Sequence, residues 1–221
     1  GSNNSVLGAN AFALNTTGSD NVAIGNGSLL ANTTASNNIA VGKAALYANT
    51  TGTANVAVGY NALDANTTAG SLTAVGFQAL SSSVTDGDTV AMGTNAGVNA
   101  TTSYSVIVGS QANGSGAMTG DSNSYLGYAS GYANTSGANN TGIGRSALGA
   151  NTTGNSNVAV GYNSMSTETT GAGNVAVGTN ALSNQNTTVV SYNTAVGHNA
   201  GTSVTTGVQN TFIGGLAGDA T

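Results

Sequence analysis

The 221 residues carry two Lys or Arg against seven Asp or Glu, a net charge of -5 with 4% of residues charged, where an ordinary soluble domain has about 25%. Two cations cannot neutralise a run of phosphates or hold an anionic bilayer, which excludes nucleic-acid binding and a polybasic membrane contact. No Cys is present, so there is no disulfide framework and no thiolate metal site, and no apolar run nears the roughly 18 residues of a membrane helix.

The opening Gly1-Ser2 reads as a cloning remnant ahead of an excised segment. From there a glycine recurs at 8, 25, 42, 59, 76, 93, 109, 127, 144, 161, 178, 197 and 214, and nine of the twelve gaps are 17 residues. A short fixed period means one unit stacked on itself. The expected fold is all-β, a parallel β-solenoid of about 13 turns of 17 residues, with turns about 4.8 Å apart. The repeat fills residues 1–221, which reads as one continuous domain.

Within a turn the elements come in a fixed order. An Asn ladder stands four before the glycine (Asn21, Asn38, Asn55, Asn140, Asn157, Asn174) and suits both turns and bonding along the axis. A strand follows, with β-branched residues three before the glycine (Val22, Ile39, Val56, Val158, Val175) and an aliphatic residue or Met one before it. This period of two predicts that both columns point into the core. Between them lies Ala23, Ala40, Ala57, Ala74, Ala91, Ala159, Ala176 or Ala195. With the glycine, these form a small apolar face that a neighbouring backbone can approach closely. That face is expected to be a seam between identical chains, with tight packing inside one coil as the alternative. After the glycine come a corner, a large apolar column (Leu29, Leu46, Leu63, Leu80, Leu148, Met165, Leu182), a short second strand and an Asn-Thr-Thr-Gly turn. Where the Leu column shrinks to Gly97, Asn113, Gly131, Gly201 or Gly218, three of the five turns have an enlarged Ala column, at Ile107, Tyr125 and Phe212. Those two columns are expected to share one compartment, inside one chain or between chains.

The runs at 36–46 (Ser-Asn-Asn-Ile-Ala-Val-Gly-Lys-Ala-Ala-Leu) and 55–63 (Asn-Val-Ala-Val-Gly-Tyr-Asn-Ala-Leu) resemble the head repeat of trimeric autotransporter adhesins, the YadA-like heads. The resemblance implies a left-handed parallel β-roll, three chains side by side, and a fibrous extracellular surface protein. Similar Asn-Thr-Thr-Gly repeats occur in bacteriophage tail fibres. The chain departs from the adhesin pattern in its longer turns.

Catalytic residues, cofactor sites and metal sites are not expected. His198 is the only His, so Ser-His-Asp and His-pair arrangements lack parts. Asp86-Gly87-Asp88 reads as a solvated loop ahead of a Ca²⁺ site, and Gly142-Ile143-Gly144 belongs to the glycine ladder. The column one after the glycine gathers both cations, the His and four aromatics: Lys43, Tyr60, Phe77, Tyr128, Arg145, Tyr162 and His198. Flanked by Asn61, Gln78 and Asn163, it is the candidate contact column for a host surface protein or a glycan. Scattered surface aromatics are the plainer reading. The paired threonines admit a third function, ice binding, although adjacent residues on a strand point to opposite sides.

Overall fold

The computed structural model describes residues 1–83 and 87–219. It is a parallel β-solenoid of about 12 turns, with no helix among the described residues. Two compact units form, residues 1–105 and 106–221. The first contains β1 (Ser5–Leu7), β2 (Val22–Ile24), β3 (Ile39–Val41), β4 (Val56–Val58), β5 (Thr73–Val75) and β6 (Val90–Met92). The second contains β7 (Val106–Val108), β8 (Ser124–Leu126), β9 (Thr141–Ile143), β10 (Val158–Val160), β11 (Val175–Val177), β12 (Thr194–Val196) and β13 (Thr211–Ile213). Inside each unit successive strands pair in parallel, three residues on three. Val56 faces Thr73 across the ladder, Ala57 faces Ala74 and Val58 faces Val75. The 19-residue interval between Gly178 and Gly197 keeps that register, with Ala176 opposite Ala195.

The strands stop at three residues because the glycine turns the chain. Gly42 has φ 132°, which L side chains rarely adopt. A Cβ there would lie 2.5 Å from the Gly59 carbonyl oxygen. The close backbone that requires glycine is therefore the next turn of the same chain. Two further left-handed residues follow in each turn, such as Asn61 and Leu63 at φ 53°, and they fold the chain back. In place of the expected second strand these turns carry the corner.

The faces of the strand are the reverse of the expectation. In β4 the middle residue is buried and its neighbours are partly exposed. Ala23, Ala40, Ala57, Ala74, Ala91, Ala159, Ala176 and Ala195 are all 0% exposed within one chain, so they pack inside the coil and leave no seam for a second one. The Val/Ile columns face outward instead: Ile39 and Val106 are exposed in one, Ile24, Met92, Leu126, Ile143 and Val196 in the other. The core is built from the Ala column, the Ala or Ser three after the glycine and the large column four after it, such as Ala57, Ala62 and Leu63. A bulky residue in the left-handed region is strained, and fully burying a Leu, worth about 1.5–3 kcal/mol, offsets that strain.

The shared compartment is present. A Cβ added to Gly131 would strike the Tyr125 ring, and one added to Gly142 would come within 3.0 Å of it. The Phe212 ring lies 2.9 Å from the Cβ position of Gly201 and also covers Gly218. Each large ring thus fills space that a glycine of its own turn and one of a neighbouring turn vacate. Tyr125 is fully buried, and that burial pushes its phenol well above the usual tyrosine range, against the opposing hydrogen bonds of Asn140 and Asn151.

Asn side chains hold the turns together. The Asn38 backbone N–H donates to Asn21 Oδ1, and the Asn55 N–H to Asn38 Oδ1, both at 2.9 Å. Asn38 Nδ2 reaches the Gly52 carbonyl at 2.9 Å. A second buried ladder runs through Asn32, Asn49 and Asn66, with Asn66 Nδ2 donating to Asn49 Oδ1 at 2.9 Å. These residues open the Asn-Thr-Thr segments and are core, where the sequence reads only as a turn.

Candidate functional site

The column one after the glycine faces outward. Its backbone is fixed by one repeated hydrogen bond: the N–H of the following residue in the next turn donates to its carbonyl. Gln78 donates to Tyr60 at 2.9 Å, Ser146 to Tyr128 at 3.0 Å, Asn163 to Arg145 at 3.0 Å, Asn180 to Tyr162 at 2.9 Å and Asn199 to Thr179 at 2.9 Å. The donors Gln78, Ser146, Asn163, Asn180 and Asn199 are all left-handed. That bend turns the column's side chains off the coil, and Tyr60, Phe77, Tyr128 and Tyr162 are 42–49% exposed.

Two groups form on this column. In the first unit Lys43 Nζ lies 5.6 Å from the Tyr60 ring centre. Tyr60 and Phe77 stack with centres 5.4 Å apart and planes 10° from parallel. In the second unit the Arg145 guanidinium sits between two rings, 5.8 Å from Tyr128 and 5.7 Å from Tyr162. An exposed cation–π contact is worth about 0.5–1 kcal/mol. Both side-chain cations of this acidic protein therefore rest on tyrosine faces. His198 is exposed on the same ladder as Tyr162, with Thr179 between them. The stacked rings turn their faces toward one another, so a ligand meets ring edges and the free faces at the end of each stack.

The eight alanines expected at an interchain seam are core residues and take no part in this surface. A candidate interface that the sequence reading missed is the outward Val/Ile strand face. Its signal was present in the shared compartment: residues that exchange volume with the buried Leu column must themselves point inward.

One cluster is wholly polar. Glu168 is fully buried at a position of the second Asn ladder. Its Oε1 accepts from the Gly171 N–H at 2.7 Å and the Thr187 N–H at 3.2 Å, and its Oε2 accepts from Gln185 Nε2 at 2.9 Å. Ser191 Oγ donates to Asn174 Oδ1 at 2.7 Å beside it. The Thr170, Gly171, Gln185 and Thr187 groups all donate to its two oxygens, which satisfies these buried acceptors.

Among the described residues no three His, Cys, Asp or Glu side chains come together to hold a metal. Asp86 of the Asp-Gly-Asp loop lies outside the described residues. Among the described residues no helix is long and apolar enough to cross a membrane. Comparisons with protein-family models, curated proteins and solved structures gave no match.

Proposed function

We propose that the chain is a structural and adhesive segment of an extracellular surface fibre, in which three copies lie side by side and present the aromatic column to a host protein or glycan. The outward Val/Ile face carries this reading. Patches beyond roughly 300–600 Å² are unusual on a monomer. One aliphatic or Met column, from Leu7 to Met92 in the first unit and from Val108 to Ile213 in the second, runs along every strand. Beside it the other column is Val or Ile at Val22, Ile39, Val56, Val90, Val106, Val158 and Val175, and Ser or Thr on the remaining strands. Neither column contains a charged residue, so covering them desolvates no charge. A second copy supplies the same columns at the same 4.8 Å rise, turn for turn. Closure of three such faces about one axis leaves none uncovered. The trimer and the adhesive role follow the resemblance to autotransporter heads; a tail-fibre shaft uses the same assembly on a virion.

Threonine hydroxyls favour this reading over ice binding. Thr33 Oγ1 donates to the Thr50 carbonyl, Thr50 Oγ1 to Thr67 and Thr152 Oγ1 to Thr169, at 2.9–3.1 Å. One of the two threonine columns is thereby committed to joining turns.

Adhesion is tested with beads coated with the chain, counted on cultured epithelial cells under flow. The parent is expected to be retained at least about tenfold better than a Val56→Lys, Val58→Lys double variant, because avidity falls when copies separate. Equal retention, or none by the parent, contradicts the proposal.

A further inference from the structure

We infer that the interval between Tyr162 and His198, over Thr179, is a recognition slot for a planar cation: the guanidinium of an arginine on a partner protein. The inference rests on reading this column as the ligand face, and not on the number of chains assembled.

The chain supplies the template for the slot. Tyr128, Arg145 and Tyr162 occupy successive turns, joined by the Ser146-to-Tyr128 and Asn163-to-Arg145 bonds at 3.0 Å. One flat guanidinium fills the two-turn space between those rings. The next interval repeats the backbone. Asn180 donates to the Tyr162 carbonyl and Asn199 to the Thr179 carbonyl, both at 2.9 Å. The extra residues of the 19-residue turn do not disturb this register, since Val177 stays opposite Val196. Two rises separate Tyr162 from His198, roughly 9.6 Å at 4.8 Å per turn, so a cation midway lies within the roughly 6 Å cation–π reach of the Tyr162 ring and beside the His198 position. The middle position now holds only a threonine.

The chemistry selects the occupant. Arg145 covers one face of Tyr162; the opposite face borders the slot and attracts positive charge through the ring quadrupole. Arginine fits better than lysine because its guanidinium is flat and stacks on both sides. At the rim Asn180 Nδ2 donates to Asn199 Oδ1 at 3.0 Å, which holds two amide side chains beside the opening. The net charge of -5 favours approach of a basic partner.

The single His makes a clean reporter. The chain labelled with ¹³C-histidine is titrated with Gly-Arg-Gly, with Gly-Lys-Gly, with the citrulline analogue of the first peptide, and with glucuronate. The arginine peptide is expected to shift the His198 ring signal saturably, about tenfold more tightly than the citrulline peptide, with the lysine peptide weaker than arginine. Thr179→Arg fills the slot from within and abolishes the response, while its circular dichroism matches the parent. Tyr162→Ala loses the response as well. Absence of any shift, equal binding of citrulline, or an undiminished response in Thr179→Arg overturns the inference. So does a shift by glucuronate without one by arginine, which marks an anionic-sugar site. The readout is independent of assembly, so failure here leaves the trimer standing, and a monomeric protein leaves the slot standing.

Discussion

Single residues show how little space the coil contains. Tyr125 enters only because positions 131 and 142 are glycine, and its phenol is then held neutral by burial. With the folded-state pKa raised above the unfolded value near 10, this group's contribution to stability is complete below about pH 10. It is lost as pH rises further, by about 1.4 kcal/mol per pH unit while only the unfolded chain ionises. Urea unfolding at pH 9 and pH 11 is expected to show a smaller alkaline loss for Tyr125→Phe than for the parent. An identical loss in both contradicts the assignment. Glu168 is the polar counterpart. In Glu168→Gln an amide N–H replaces one acceptor among donors only, and unfolding free energy is expected to fall by about 1–3 kcal/mol.

At the scale of the strand, sequence gave the columns correctly and their direction wrongly. A period of two separates the faces of β4 but does not say which one points inward. Val56 and Val58 look like core because they are large and β-branched, and Ala57 looks like a contact surface because it is small. The corner decides otherwise: left-handed Leu63 turns its side chain beneath the strand, and only a methyl fits opposite. The Tyr125–Gly131 exchange was visible in the sequence and already tied the Ala column to a compartment with Leu. The second Asn ladder was hidden because Asn-Thr-Thr-Gly is also an ordinary turn signal. The corrected faces separate two variants. Ala57→Leu overfills the core and is expected to lower stability by about 1–3 kcal/mol in thermal unfolding. Val58→Lys is expected to leave single-chain stability nearly unchanged and to weaken assembly. The opposite pattern restores the alanine seam.

For the whole molecule, the period of 17, the parallel ladder and the outward aromatic column were all legible from spacing. The pairing of Arg145 with two tyrosines was not, because Tyr128, Arg145 and Tyr162 stand 17 residues apart and meet only through the stacking of turns. The slot over Thr179 was hidden for the same reason. The central claim concerns what covers the Val/Ile face, and the mass of the particle in solution tests it most directly. Multi-angle light scattering of the purified chain at micromolar concentration is predicted to give a mass near three times 21.1 kDa, falling toward one chain in Val56→Lys, Val58→Lys. A parent that stays at 21.1 kDa across that range contradicts the account.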